Sequence, residues 1–443
     1  MRWQRVLKWL YPGMGVKRWA LLIGAGALLL VIGLIGLIGR ARLKTLYDFF
    51  AASDFYTYLT IVVLTLVGLI AIGLGVNQLV RSIIREIRPE AEGRASELIY
   101  DRRLLRRGPQ LCALGGGTGL STLLRGLKEY TSNISAIVTV MDSGGSSGRL
   151  RRELGMLPPG DIRNNLIALA ADESKIAELF DYRFGDGRGQ LSGHSLGNLV
   201  LAGMQELRGS FEQAVVEMSQ ILNIRGQVLP ATLENVELCA EMDDGSQVCG
   251  EAQIPTMSKR IKRLWLSQPH VAPSPRVLEE IRQAELIILG PGSLYTSLIP
   301  NLLVEGISRE IAAAPALKLY IANLMTQPGE TDGLSLMDHL KALEPYFDLR
   351  GLDLVLVNSG PIPEPILRRY RQEGSEPVLR DLSSKNPFGL RVIAADLIEP
   401  VRQTEESGRS KLTVKHSPQK LARAIVSCAP QLFEGHHWKR RSH

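Results

Sequence analysis

Five short apolar runs, each followed by a helix-like stretch, restrict most what this chain can fold into. They are LCAL (111–114), SAIVTV (135–140), ELIILG (285–290), LKLYIA (317–322) and LDLVLVNSG (352–360). Each is continuous rather than alternating, the pattern of a strand buried on both faces. Helical periodicity falls over Leu120–Tyr130, Pro275–Gln283, Ser297–Ala313, Ser335–Leu343 and Glu364–Glu373. This alternation predicts βαβ units, hence an α/β fold: a Rossmann-like open, mostly parallel sheet sandwiched by helices. Between the second and third runs lies an insertion, Gly144–Pro273. Its first part is helical over Asp161–Asp172, Ser174–Asp181, Ser195–Arg208 and Glu212–Leu222. Its second part, ENVELCAEMDDGSQVCGEAQIP, alternates polar and apolar residues around Asp243-Asp244-Gly245-Ser246, which predicts an antiparallel hairpin. A last helix is expected over Pro418–Ser427.

The region before the first strand obeys different rules. Trp19–Gly39 and Tyr56–Val76 are uncharged runs of 21 residues, each long enough as a helix to cross a bilayer core of roughly 30 Å. Two transmembrane helices are therefore expected to precede the α/β domain, as a membrane hairpin over residues 1–80 with spans near 19–39 and 56–76. A charged tether follows over 81–110, the α/β domain over 111–430 and a basic tail over 431–443. The hairpin's flanks hold 13 Lys and Arg against 3 in its connecting loop, so the positive-inside rule puts both termini and the main domain in the cytoplasm. The expected location is the inner membrane, multi-pass.

Charge follows the same division. Residues 1–110 carry 16 Lys and Arg against 7 Asp and Glu, while residues 111–443 carry 36 against 38. The net charge of +7 thus belongs to the membrane-flanking segment, and no nucleic-acid partner is expected. Cys112, Cys239, Cys249 and Cys428 lack CxxC spacing and are expected to be free thiols with no zinc site.

The candidate site residues cluster after the strands, where open α/β sheets bind ligands. Strand one runs into GGGTGLS, so Gly115, Gly116, Gly117, Thr118 and Gly119 are expected to bring backbone amides and a helix start to a phosphate. The dinucleotide fingerprint is met in part, with Leu120 where its third glycine belongs, and the Walker A pattern is not met. Asp142 follows strand two, at a position suited to ribose hydroxyls or to a metal beside phosphate. Behind it, Ser143, Gly144, Gly145 and Ser146 form a second wall of the cleft rather than a linker, with Arg149 at its end. PPGDIRNNL opens a helix with Asp161 expected as N-cap and Arg163, Asn164 and Asn165 in its first turn. LSGHSLGN repeats that grammar with His194, Ser195 and Asn198. Gly290, Gly292 and Ser293 follow strand three, and Asn323, Gln327 and Glu330 follow strand four. Two glycine turns on one sheet edge suit a ligand with two polar ends, such as a nucleotide diphosphate joined to another group.

Together, LGGGTGLSTLLRGLK, VTVMDSGGSSGRLR, PPGDIRNNLIALA, LSGHSLGNLVLAG, RGQVLPAT, GPGSLYTSLIPNLLVEGI and NLMTQPGETDG resemble the YvcK family of gluconeogenesis factors, relatives of 2-phospho-L-lactate transferase. The resemblance runs in order over about residues 111–430. It implies a UDP-sugar-binding regulator, for UDP-N-acetylglucosamine or a related nucleotide sugar, that supports cell shape, envelope synthesis and growth on gluconeogenic carbon. It implies a homo-oligomer with no required cofactor and no established reaction, partnered by envelope synthesis or its regulators. The alternative it carries is a Mg²⁺-dependent phospholactyl transferase, with Asp142 and Asp161 as candidate ligands. Asp142-Ser143 stands where the family usually has two Asp, which removes one carboxylate of a metal pair. By the same similarity, Tyr370 and Lys415 contact the uridine diphosphate part.

Overall fold

The computed structural model describes residues 17–38, 54–87, 103–185, 189–382, 386–404 and 410–433. The chain divides into two compact units, 1–103 and 104–443.

In the first unit, helices α1 (Lys17–Ile38) and α2 (Asp54–Ile87) contain windows of 18 and 24 residues long and apolar enough to cross a membrane. They pack through small residues. A Cβ on Gly26 would come within 2.8 Å of the Gly68 carbonyl, and the reverse holds for Gly68. A Cβ on Gly33 would overlap the Thr65 hydroxyl. Leu21, Leu28, Leu66 and Ile70 project outward and are more than half exposed, a surface that water disfavours and hydrocarbon accepts. The expected tether is described only to Ile87 and again from 103, and the flanking bases before Lys17, the loop bases Arg40, Arg42 and Lys44, and residues 434–443 of the tail lie outside the described residues.

The second unit is built on a seven-stranded sheet. In chain order it begins with β1 (Leu111–Gly115), α3 (Gly117–Leu127), β2 (Ile134–Val138), α4 (Gly145–Leu154), α5 (Gly160–Leu169), α6 (Glu173–Asp181), α7 (Leu196–Arg208), α8 (Phe211–Ile221) and β3 (Gln227–Pro230). A three-stranded antiparallel sheet follows, of β4 (Leu238–Met242), β5 (Gln247–Cys249) and β6 (Ile261–Leu266). The main sheet then resumes with β7 (Leu286–Leu289), β8 (Leu317–Ile321), β9 (Leu354–Asn358) and β10 (Arg391–Ala395), and an antiparallel ribbon of β11 (Ile398–Thr404) and β12 (Ser410–His416) precedes helix Pro418–Cys428. The main sheet is ordered β10-β9-β8-β7-β1-β2-β3, with every pair parallel. Strand order therefore reverses between β1 and β7, the topological switch point at which doubly wound folds bind ligands.

Alternate residues of the strands feed two separate cores. Cys112, Leu114, Ile137, Ile287 and Leu289 enter one, and Leu111, Ala113, Ile134, Ala136, Leu286 and Ile288 the other. This two-sided burial is why the central strands read as unbroken apolar runs.

Several expectations change. The stretch Gly144–Pro273 is not one insertion, because Gln227–Pro230 pairs with β2 as a strand of the main sheet. The helix expected over Ser297–Ala313 is broken into a π-type turn at Leu294–Leu298, a helix Ile299–Leu303 and a second helix Ile307–Ala313, the last entered through Gly306 at φ +81. The hairpin around Asp243–Ser246 forms, but two of the four cysteines expected as free thiols are joined across it as a Cys239–Cys249 disulfide. The reason is register. The two residues are direct partners in the β4–β5 ladder, with Cα atoms 4.0 Å apart, a proximity that the hairpin creates and that the absence of CxxC spacing does not address. Cys112 and Cys428 are free and buried.

Candidate functional site

Helices α3, α4 and α5 all start at the carboxyl edge of the sheet on a glycine without a side-chain cap, and in α3 and α4 the N-cap is glycine as well. Gly116 is the N-cap of α3, and Gly117 at φ +58 turns the chain into the helix. The expected glycine turn is thus the first turn of a helix, which begins three residues earlier than periodicity suggested. The Thr118 carbonyl is held by Ser121 Oγ at 3.0 Å and Thr122 Oγ1 at 2.8 Å. Gly119 has no room for a side chain, since a Cβ would overlap the Pro291 carbonyl and approach Gly292 Cα to 2.9 Å. The Gly290–Ser293 turn after β7 therefore lies directly on the Gly115–Gly119 turn after β1. Asn301 Nδ2 anchors this junction by donating to the Gly115 carbonyl at 3.1 Å.

The Gly-Ser run after Asp142 is also a helix start and not a loop. Asp142 Oδ1 accepts the Gly144 amide at 2.8 Å, Gly144 caps α4 and Gly145 enters it at φ +47. A Cβ on Gly148 would overlap the Ser143 carbonyl, so a small residue there lets the helix fold back over its own entry. Ser147 Oγ accepts the Gly160 amide at 3.1 Å and fixes the start of α5.

Asp161 is not the N-cap of α5, a position held by Pro159. It lies in the first turn instead, and its carboxylate faces Gly116 and the Gly117 amide. A Cβ on Gly116 would meet Asp161 Oδ2 at 2.7 Å, and one on Gly160 would meet Asp142 Oδ2 at 3.4 Å. Burial first, and Asp142 second, push Asp161 up to about 6.

The two arginines expected at a phosphate are engaged within the protein. Arg163 is buried and donates to Ser195 Oγ, to Asn198 Oδ1 at 3.0 Å and to Asn164 Oδ1 at 2.6 Å, with Asp181 at 3.6 Å. Arg149 donates to the Ser192 carbonyl at 2.5 Å. Ser146 Oγ contacts His194 Nδ1 at 2.9 Å and accepts from Asn198 Nδ2 at 3.0 Å. Ser195 caps α7. Burial, then the Arg149 charge, lower the His194 pKa and favour a neutral ring. Asn165 Nδ2 donates to the Asp161 carbonyl at 2.7 Å, while its Oδ1 is buried without a partner. These residues brace the cleft from behind.

At this edge Thr139 and Glu251 were not legible in the sequence, whereas Ser293, Gln327 and Glu330 were expected. Thr139 follows β2, leans its methyl group on Gly116 and has a buried hydroxyl without a partner. Glu251 opens a 3₁₀ turn, Glu251–Met257, with its carboxylate near the Ser143 amide, and the Ala252 amide donates to Ser143 Oγ at 3.0 Å. Glu330 accepts Thr296 Oγ1 at 3.2 Å, and Gln327 Nε2 donates to Ser293 Oγ at 2.7 Å. Burial pushes both Glu251 and Glu330 up to about 7, with Asp142 adding to the effect on Glu251. The Glu251 contacts pass unnoticed in sequence because more than 100 residues separate it from Ser143.

Three expected residues sit elsewhere. Asn323 lines a hollow with Leu324, Asn358, Ile362 and Arg380. Tyr370 packs with Ile366, Ile398 and Val414, and Arg369 stacks over its ring at 4.9 Å. Lys415, on β12, is half-buried, and its pKa is lowered by burial and then by Arg125 on α3. The contacts of Tyr370 and Lys415 tie them to the ribbon and to α3, not to the switch-point turns.

Comparison with known proteins agrees with this geometry. The family model for 2-phospho-L-lactate transferase CofD matches residues 111–398. The gluconeogenesis factor of Bacillus subtilis (strain 168) is 52% identical over 318 residues, covering 72% of this chain and 97% of its own. A Nostoc sp. relative is 43% identical over 426 residues, 95% of this chain and 91% of its own, so that similarity reaches into the segment with the two apolar helices. A crystal structure of a Bacillus halodurans protein, 45% identical, superposes with a TM-score of 0.67 over 72% of this chain and 99% of that one. With its sheet order, its glycine-opened helices at the switch point and these matches, the chain belongs to the CofD family, among the gluconeogenesis factors.

Proposed function

We propose that this chain is a membrane-anchored regulator that binds a nucleotide sugar of the UDP-N-acetylglucosamine class and relays its supply to envelope synthesis, cell shape and gluconeogenic growth. The observation that carries this reading is the pair of uncapped helix starts at Gly116 and Gly144, on either side of Asp142. Apart from the Gly117 amide, which the Asp161 carboxylate faces, these first-turn amides have no capping side chain and are ready donors to a diphosphate. Asp142 and the orphan Thr139 hydroxyl offer partners for sugar or ribose hydroxyls. The two apolar helices anchor the chain in the inner membrane with both ends in the cytoplasm, in keeping with the basic flanks. Calorimetry of the full-length protein in detergent is the test: saturable heat with UDP-N-acetylglucosamine is expected, and none at millimolar ligand would overturn the reading. A C-terminal fluorescent fusion should fluoresce, whereas an active C-terminal alkaline phosphatase fusion would reverse the topology.

A second reading, phospholactyl transfer, is favoured by one observation: the Asp142 charge reaches Asp161. Mg²⁺ beside a substrate phosphate needs only one or two protein carboxylates, and these two fit that need. Among the described residues no group of three or more His, Cys, Asp or Glu is arranged to hold a metal by itself. Asp142 and Asp161 would hold the ion, which would neutralise phosphate charge, and a metal-dependent product from activated phospholactate and a deazaflavin acceptor would establish it.

A further inference from the structure

β5 is a lightly held element beside the cleft. It has three residues, lies at the edge of its sheet and pairs only with β4. Its last residue, Cys249, is exposed, whereas the partner Cys239 is buried. Beyond Cys249 the chain passes through Gly250 at φ +108, whose amide donates to the Leu238 carbonyl at 2.8 Å. It then enters the turn that holds Ser143 through the Ala252 amide on Ser143 Oγ at 3.0 Å, with the Glu251 carboxylate beside the Ser143 amide. One residue therefore separates the exposed cysteine of the disulfide from the turn that holds the Asp142 loop.

We propose that Cys239 and Cys249 form a thiol–disulfide switch that sets how firmly the Glu251–Ala252 turn holds Ser143, and through it the ligand affinity of the cleft. The affinity clause rests on the nucleotide-sugar reading. Disulfides in a cytoplasmic protein are characteristically transient and redox-sensing rather than structural. The reductant is a dithiol. Its thiolate attacks the accessible Cys249 sulfur and forms a mixed disulfide, while the Cys239–Cys249 bond breaks and Cys239 leaves as a thiolate that takes up a proton. The second thiol of the reductant loses its proton and attacks the mixed disulfide. Cys249 is released and protonated, and the reductant departs as its own disulfide, having given two electrons to the pair. Once open, β5 depends on a three-residue ladder alone, too short to be stable by itself. The Gly250–Leu238 and Ser143 contacts then loosen together.

The test compares full-length protein in detergent, oxidised with glutathione disulfide or reduced with dithiothreitol, by hydrogen–deuterium exchange, with UDP-N-acetylglucosamine calorimetry in parallel. The Ser143 and Ala252 amides should exchange about tenfold faster after reduction. Protein carrying both Cys239→Ser and Cys249→Ser should match the reduced form in either buffer. Equal exchange in the two redox states overturns the switch, as does complete alkylation of both cysteines in the oxidising buffer. If exchange responds but the sugar binds in neither state, the switch stands and the nucleotide-sugar reading fails. If the sugar binds equally in both states, the coupling to affinity is overturned.

Discussion

The Asp161 carboxylate lies against Gly116 and faces the amide of Gly117, so the first turn of α3 meets a negative group supplied by the protein itself. Burial and the neighbouring Asp142 disfavour that charge and push Asp161 up to about 6. A ligand diphosphate and an ionised Asp161 compete for one amide, and that competition makes binding depend on protonation.

An anionic ligand is favoured when Asp161 is protonated. Affinity for UDP-N-acetylglucosamine should therefore rise as pH falls from about 8 toward 6, by roughly tenfold. Asp161→Asn keeps an acceptor oxygen for Gly117 and removes the charge. It should bind tightly at the higher pH and lose the pH dependence in calorimetry. Under the transferase reading the same substitution would instead abolish Mg²⁺-dependent binding.

The same carboxyls make stability depend on pH. Asp161 is raised to about 6, and Glu251 and Glu330 to about 7, each above its ordinary value. Protonation stabilises the folded state, so this contribution is complete below about pH 4 and is lost as pH rises through 6 to 7, at roughly 1–3 kcal/mol per group. Urea midpoints should fall across that window, and Glu330→Gln should flatten the fall.

Gly119 is fixed by contact rather than by φ, because a Cβ there would overlap the Pro291 carbonyl. Gly119→Ala should separate the two glycine turns and cost about 1–3 kcal/mol. Ligand heat should disappear at temperatures where circular dichroism shows the variant still folded.

Arg163 is a brace. Removing its guanidinium leaves the Asn198 and Asn164 oxygens without this donor and Ser195 Oγ with the Asn198 amide alone, which costs about 1–3 kcal/mol for buried neutral groups left unpaired. Arg163→Ala should lower the urea midpoint sharply. Arg163→Lys should recover only part of the loss, since an ammonium cannot reproduce the planar fork. A stable Arg163→Ala protein that merely binds ligand more weakly would return this residue to the phosphate.

Legibility in the sequence followed burial. In the main sheet β1, β2, β7, β8 and β9 are interior strands and read as apolar runs, whereas its two strands missed, β3 and β10, are its two edges. An edge strand needs fewer apolar residues and tolerates proline, and QVLP ends on Pro230 while RVIAA exposes Arg391 and Ala394. The glycine turns were legible because glycine after a buried strand has few other uses. Arg163 was misread because a cation at a helix start looks the same whether its partner is a ligand or the next helix. Cys239 and Cys249 lie equally far from Asp244 at the hairpin tip, so folding the predicted hairpin on paper would have paired them.

The membrane unit yields a prediction that depends on neither ligand nor chemistry. Helices in lipid gain little from apolar burial against each other and associate through close backbone approach at small residues. Gly26 and Gly68 provide that approach, and Gly33, about two turns further along α1, faces Thr65. In a cysteine-free background, Gly33→Cys with Thr65→Cys should cross-link α1 to α2 under mild oxidation in membranes. A protease site inserted between the helices makes the result readable, since linked fragments stay together after cleavage. Adding Gly26→Leu and Gly68→Leu should force the backbones apart and reduce the linked fraction at least about tenfold, the loss of roughly 1–2 kcal/mol. An unchanged linked fraction would mean that the glycine seam does not hold the hairpin.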